Sequence, residues 1–203
     1  PLVPLVIVPD GSEAFQDSTP IIENFEAERP TPTIHPASVP LRFVSELLEE
    51  FADEWGNKWM FHYRWAHEQD GRDYARRIAC EMRSGVPPPE DPEALESELK
   101  QLSDMFCDRM FGRLFTIGST GQTRPIIEGG FLGGICMLEE HFADQRRPYL
   151  FGGRPSLADF GLSGQLWNCV TDPTAGGLMR LHAPSVVQWA ERMHNPKVEH
   201  SMA

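Results

Sequence analysis

Asp17 and Ser18 lie where the sequence predicts the start of a helix, a position suited to binding an anion. Thr19 and Pro20 follow them, and apolar residues then recur at helical spacing. The first amides of a helix have no intrahelical acceptor and carry the positive end of its dipole, and the Ser18 hydroxyl adds a donor. The pair therefore predicts a site for an anionic group, with simple capping of the helix as the alternative.

A run of aromatic residues with basic neighbours occupies a later predicted helix. Its aromatic members are Trp55, Trp59, Phe61, Tyr63 and Trp65, with Lys58, His62 and Arg64 between them. Helical spacing puts Trp55 and Trp59 on one face with Phe51, which favours the core, so that some of the others point elsewhere. Trp59, His62 and Tyr63 are our candidates for lining a substrate cleft, and burial in the core is the alternative.

Residues of metal-binding types cluster late in the chain, at Glu139, Glu140, His141 and Asp144. Only Glu140 and Asp144 share a helical face, which favours a solvated surface over a coordination site. The four cysteines are widely spaced and form no Cys-x-x-Cys pair, so neither a zinc site nor a dense disulfide framework is indicated. We therefore predict no metal site and a reduced, cytoplasmic location.

The length of the chain limits its number of domains, and its net charge limits its classes of partner. The chain has 203 residues, 40% of them hydrophobic, and a formal net charge of -12 at pH 7. This length allows one or two domains with a sizeable core, and the negative charge argues against nucleic-acid partners. The apolar residues 1–8 have no positively charged flank and are too few to span a bilayer, so we predict no signal peptide and no membrane anchor.

Residues 1–30 predict a β-β-α unit. A β-branched run at 5–8 is stopped by Pro-Asp-Gly, and a second apolar pair follows after one tight turn, which is the pattern of an antiparallel hairpin. A short helix from Asp17 to about Glu28 comes next. Such a unit buries too little apolar surface to be stable alone and must pack on other residues. Three prolines at 30–36 then predict an ordered linker.

The sequence after this linker predicts helices. Apolar residues recur at helical spacing in successive segments, at 41–67, 72–83, 92–110, 126–142, 157–167 and 184–193. The predicted class is therefore α+β and mostly α. Its parts are the β-β-α unit at 1–30, the linker at 31–40 and an all-helical domain at 41–203.

Ser156 and Asp159 form the pattern Ser-x-x-Asp ahead of an apolar run. In such a capping box the serine accepts from an amide of the first turn, and the acidic residue reaches back to the amide of the cap. We assign both residues a structural role at the start of a helix.

Glycines recur in pairs, at 129–130 and 133–134, within one predicted helix. This small-xxx-small spacing allows close contact between helices. Because Glu128 and Glu139 bracket a stretch too short to span a membrane, the pattern favours packing inside a soluble domain.

Four stretches of the sequence, at residues 3–5, 15–22, 153–159 and 184–189, resemble the cytosolic glutathione S-transferase superfamily, and they occur in the family's order. Residues 3–5 (VPL) and 15–22 (FQDSTPII) resemble the second half of its thioredoxin-like domain. Residues 153–159 (GRPSLAD) resemble the folding motif of its helical domain, and 184–189 (PSVVQW) with Arg192 resemble its closing helix. The implied fold is a partial thioredoxin-like β-β-α unit followed by the all-helical glutathione transferase C-terminal domain, although 68–124 match only as generic helix.

The resemblance implies that Val3, Pro4, Asp17 and Ser18 bind glutathione. A cis Val3-Pro4 bond would turn the Val3 backbone towards the cysteinyl unit, and an ordinary trans proline is the alternative. Ser18 and the helix start would take the γ-glutamyl carboxylate, and Asp17 would contact the ammonium group.

The implied activity is conjugation of glutathione to a small hydrophobic electrophile, with the thiolate as nucleophile. In the family the thiol-activating Tyr, Ser or Cys precedes the matching segment, and this chain begins at Pro1, so we name no catalytic residue. A non-catalytic scaffold or binding module of the same fold and a glutathione-dependent thiol reductase are the alternatives. Family habit further suggests a homodimer.

Overall fold

The computed structural model describes residues 4–89, 91–144, 146–198 and 202. Strands β1 (Leu5–Ile7) and β2 (Ala14–Gln16) pair antiparallel, and helix α1 (Ser18–Glu28) follows at once. In the turn between the strands, Gly11 donates its N–H to the Val8 carbonyl at 2.9 Å and has a φ of 73°, which glycine adopts without steric cost. The predicted β-β-α unit is therefore confirmed.

The linker after α1 is ordered by contacts at both of its sides. The Glu26 carboxylate accepts from the Thr33 hydroxyl at 2.5 Å and from the Ile34 amide at 3.3 Å. The Ile34 carbonyl in turn accepts from the Leu157 amide at 3.0 Å. The segment thus ties the β-β-α unit to the helical part of the chain.

A π-helical turn interrupts the first long helix that the sequence predicts. Helix α2 spans Val39–Phe51, the π-helical turn Ala52–Gly56, and α3 Asn57–Ala66. A π-helical turn holds one residue more than an α-helical one, so it changes which side chains share a face. Trp55 is consequently 40% exposed, whereas Trp59 is 3% exposed, and the prediction that both lie in the core is wrong for Trp55.

Helices α4 (Glu68–Met82) and α5 (Pro92–Phe111) pack on each other and enclose a small second core. Its buried members are Trp65, Ala75 and Cys107. A 3-10 turn at Leu114–Ile117 then leads towards the next helix.

The main core lies between α2, α3 and the last four helices of the described chain. These are α6 (Arg124–Phe142), α7 (Leu157–Thr171), α8 (Pro173–His182) and α9 (Pro184–Arg192). Phe142 of α6 stacks on the fully buried Trp189 of α9, with ring centroids 5.2 Å apart. Within the described ranges, no helix combines the length and the apolar composition that a membrane span requires.

Helix α8 is missing from the sequence prediction. Asp172 and Pro173 are good start signals, but Gly176 and Gly177 lower the helical propensity of the segment. A Cβ atom at Gly176 would lie 2.3 Å from the carbonyl oxygen of Val170. The residue that hides the helix in the sequence is therefore the one that lets α8 pack closely against the end of α7.

The Asp159 carboxylate lies inside the helical domain and accepts four hydrogen bonds. Ser156 donates from its amide at 2.9 Å and from its hydroxyl at 2.7 Å, and Leu150 donates its amide at 2.9 Å. The Trp189 indole N–H donates from α9 at 2.9 Å. Since Asp159 and Ser156 are both fully buried, this capping box also joins the loop before α7 to α9.

Asp159→Ala should lower the free energy of unfolding strongly. The change leaves buried donors on Ser156, Leu150 and Trp189 without an acceptor, and each such group costs about 1–3 kcal/mol, so we expect a loss of at least about 3 kcal/mol. Urea unfolding followed by circular dichroism measures it. Asp108→Ala, which removes an exposed carboxylate, should change stability by less than about 0.5 kcal/mol. Similar values for the two variants would contradict the role given to Asp159.

Candidate functional site

The start of α1 brings together Pro4, Asp17 and Ser18. The Asp17 amide donates to the Pro4 carbonyl at 3.4 Å, and the Asp17 carboxylate accepts from the Thr19 amide at 3.4 Å. Ser18 is half-buried and opens the helix. Val3, and with it the Val3-Pro4 peptide bond, lies outside the described residues.

Asp17 has an unusual backbone, with φ 80° and ψ 140°. A positive φ is uncommon for a residue with a side chain and costs roughly 1–3 kcal/mol in such sparsely populated regions. Strain of this kind concentrates at functional sites, because the surrounding structure must hold it in place. The backbone conformation of Asp17 is therefore maintained by the surrounding structure at a cost in local stability.

Negative charge gathers beside this turn, on α2 and the π-helical turn. Burial raises the pKa of the Glu49 carboxyl, and the nearby carboxylates of Asp53, Glu50 and Asp17 raise it further. The pKa of Asp53 is raised in the same way, by burial and then by Asp17 and Glu54. Carboxylates that raise each other's pKa create a site where a cation, such as a primary ammonium group, is stabilised.

A cavity of about 620 Å³ opens between α2 and α6. Its walls come mainly from apolar side chains of α2, the π-helical turn and α3, and from the glycine face of α6. The residues that line it include Leu48, Phe51, Trp55, Trp59, Gly133, Gly134, Met137 and Leu162. This composition suits a small apolar molecule.

Trp59 provides the main polar atom near the cavity. Its indole Nε1 is buried and has no hydrogen-bond partner among the described residues. His141 also lines the cavity, but its Nε2 already lies 3.0 Å from the Leu150 carbonyl oxygen. A ligand with one acceptor atom aimed at Trp59 would satisfy a donor that the described part of the chain leaves unpaired.

The three residues proposed for substrate contact do not meet in one cleft. Trp59 lines the cavity, whereas His62 and Tyr63 are not among its lining residues. His62 is fully buried beside Ser119, and Tyr63 packs on Phe131 with ring centroids 4.7 Å apart. The structure thus separates Trp59 from the other two candidates.

The cavity is absent from the sequence predictions, although the glycine pairs at 129–130 and 133–134 are the pattern that could have indicated it. A Cβ atom at Gly134 would lie 2.5 Å from the Trp59 ring, so this glycine lets the indole approach α6, as the packing interpretation requires. Gly133 has open space beside it and lines the cavity.

The cavity and the carboxylates lie on different flanks of α2. Successive residues of an α-helix are rotated by about 100°, so Glu49 is turned by about 160° from Phe51. Glu49 lies against Gly161 of α7, whereas Phe51 lines the cavity. A ligand beside Asp17 and a ligand in the cavity would therefore occupy separate places.

Gly133→Leu should reduce the binding of an apolar fluorescent dye such as anilinonaphthalene sulfonate. The new side chain enters the cavity without a backbone clash, and we expect an affinity loss of at least about tenfold, or about 1.4 kcal/mol. Gly129→Leu is the matched control, because it lies on the same helix with open space beside it and outside the cavity lining. Equal dye affinities of the two variants would show that the dye binds elsewhere.

Glu49→Gln should raise the thermal midpoint of unfolding at pH 8. A carboxyl whose pKa is raised in the folded state destabilises the fold as pH rises through that pKa, and the amide cannot ionise. The advantage should shrink as pH falls and vanish below the ordinary value of 4.5, where the wild-type group is protonated. Glu81→Gln, at an exposed position, should show no such pH dependence. A constant difference between wild type and Glu49→Gln at every pH would refute the assignment.

The comparison with known proteins agrees with the helical part of this architecture. Residues 124–192 match the family described as glutathione S-transferase, C-terminal domain. The matched stretch runs from α6 to α9 and includes the Ser156–Asp159 capping box. No curated protein matches the chain. Over residues 124–192 the chain is therefore similar to a glutathione S-transferase C-terminal domain.

Proposed function

We propose that the protein binds glutathione at the start of α1 and conjugates it to a small apolar electrophile. The main support for the proposal is that, at one turn, groups that favour an anion lie next to groups that favour a cation. Ser18 and the first amides of α1 favour an anion, while Asp17, with Glu49 and Asp53 close by, favours a cation. A γ-glutamyl group carries a carboxylate and an ammonium group on one carbon atom, and so meets both preferences.

The rest of the peptide is assigned to the β-β-α unit. Pro4 has no N–H and lies at the entrance of β1, a position where proline removes no hydrogen bond from the strand pair. We assign the cysteinyl backbone to Val3 and Pro4, as the family resemblance implies. This division treats 1–30 as the glutathione-binding domain, 31–40 as the linker and 41–203 as the helical domain.

The cavity beside Trp59 is our candidate site for the apolar molecule. In a conjugation with an aryl halide, the cysteinyl sulfur attacks as thiolate, the carbon–sulfur bond of the thioether forms, and the carbon–halogen bond breaks to release halide. We assign no residue of this chain to activation of the thiol. Residues are therefore assigned to the binding of glutathione and of the apolar molecule, and none to the chemical step.

A non-catalytic binding module is the second candidate function, and one observation favours it. Because the carboxylates and the cavity lie on different flanks of α2, the γ-glutamyl group and an apolar ligand would be held at separate places. A module that holds both ligands without joining them fits this separation.

We include two broader features in the proposal. Val39, Phe43 and Leu47 are exposed apolar side chains on α2, which supports a homodimer formed through this helix. The four cysteines are free, which supports a reduced cytoplasmic location.

Ser18→Ala should weaken glutathione binding by about 10–100-fold, because a hydrogen bond to a charged group is worth about 1.5–3 kcal/mol. Isothermal titration calorimetry of the full chain measures the affinity. Ser84→Ala, at an exposed position away from α1, is the control and should bind as the wild type does. Unchanged binding by Ser18→Ala would remove Ser18 from the site.

Turnover distinguishes the two candidate functions. Wild-type protein is incubated with glutathione and an aryl halide, and the thioether product is measured. Product formation supports the transferase. Glutathione binding without product supports the binding module, and absence of glutathione binding overturns both.

A further inference from the structure

Two histidines and a glutamate converge where α3 meets α4 and faces α6. His62 is on α3, His67 lies between α3 and α4, and Glu128 is on α6. Their ligand atoms all lie within 4.8 Å of one another. The Glu128 Oε1 atom is 3.3 Å from Nε2 of His62 and 3.9 Å from Nε2 of His67.

Contacts around the cluster fix the direction of the His62 ring and place the His67 ring beside it. His62 is fully buried, and its Nδ1 lies 2.7 Å from the Ser119 hydroxyl, which leaves Nε2 directed at Glu128. The His67 ring stacks on Tyr63, with centroids 5.6 Å apart and planes inclined by 3°. A histidine that binds a metal commonly has its other ring nitrogen in a hydrogen bond, which sets the tautomer and the orientation. The Ser119 hydroxyl is such a partner for His62.

The arrangement is close to the size of a small coordination shell. Zinc binds imidazole nitrogen at about 2.0–2.1 Å and carboxylate oxygen at about 2.0–2.2 Å, so tetrahedral neighbours are about 3.3–3.5 Å apart. The His62–Glu128 distance already meets this value. Rotation of the half-buried His67 and Glu128 side chains, which are 25% and 31% exposed, would bring in the third ligand.

A guanidinium group occupies the mouth of the cluster. Arg124 donates from Nε to Glu128 Oε1 at 2.7 Å, and its Nη2 lies 3.3 Å from Nε2 of His67. The side chain is 44% exposed, so it can leave for solvent without opening the core. Arg124 thus holds a positive charge where a bound cation would be held.

We propose that His62, His67 and Glu128 form a binding site for a divalent transition metal of the zinc type, which displaces Arg124. Two imidazole nitrogens and one carboxylate suit Zn²⁺ and its neighbours in the first transition row. They do not suit Mg²⁺ or Ca²⁺, which prefer oxygen ligands. The solvent-facing side that Arg124 leaves open would take a water molecule as fourth ligand.

The test is a metal titration of the full chain after treatment with a chelator. We expect Zn²⁺ to bind with one equivalent per chain in calorimetry and to raise the thermal midpoint of unfolding. Co²⁺ should give the visible absorption of a low-coordinate nitrogen and oxygen site, without the charge-transfer band of a thiolate ligand. The last readout excludes binding to the free cysteines.

His67→Ala and Glu128→Gln should each weaken Zn²⁺ binding by at least about 10–100-fold. Substitution of residues that only support metal ligands already reduces metal affinity by this much. Both side chains are partly exposed, so these variants should fold, whereas the buried His62 is left intact. Arg124→Ala should bind Zn²⁺ more tightly than the wild type, because the competing cation is gone. His182→Ala, which removes an exposed histidine on α8, should leave the affinity unchanged.

Two results would overturn the proposal. One is the absence of saturable Zn²⁺ binding by the wild type. The other is one-equivalent binding that persists in both His67→Ala and Glu128→Gln, since that would place the metal on other residues.

Discussion

The buried carboxylate of Asp159 holds several parts of the helical domain together. Burying a charge costs several kcal/mol unless donors converge on it, and here four hydrogen bonds do so. They come from the cap of α7, the loop before it and Trp189 of α9, so these parts must be placed together. Trp189 in turn stacks on Phe142, which fixes α6 and the glycine face that it presents to Trp59. The cavity therefore depends on a charge that lies outside its lining.

The cavity exists because Gly133 and Gly134 of α6 have no side chains to fill it. Gly134 lets the Trp59 ring lie against the backbone of α6, and Gly133 leaves the neighbouring space open. The same approach buries the Trp59 N–H with no acceptor among the residues that the structure describes, which is costly in an apolar setting. Close packing and an unpaired donor are thus two results of one contact, and a ligand that offers an acceptor would recover part of that cost.

Local patterns were enough to predict much of the fold but little of the candidate sites. The hairpin, the start of α1 at Ser18 and the Ser156–Asp159 pattern depend on neighbours within a few residues, which the sequence displays directly. The π-helical turn depends on packing against α7, and helix α8 is obscured by Gly176. His62 and Glu128 are 66 residues apart, so only the folded chain brings them together. Trp59 was found among the aromatic residues, but its partners in the cavity were glycines.

Arg124 also bears on how the protein would respond to a changing supply of metal ions. Because its guanidinium already neutralises Glu128, the polar cluster between α3 and α6 is paired in the protein as described. The Glu128 carboxylate is therefore compensated without an ion, and an arriving metal ion would exchange with the Arg124 guanidinium. Loading of this kind would be reversible without unfolding, because the partly exposed Arg124 could return to Glu128. It would let the polypeptide follow the ambient metal concentration throughout its lifetime, instead of recording the concentration present at its synthesis.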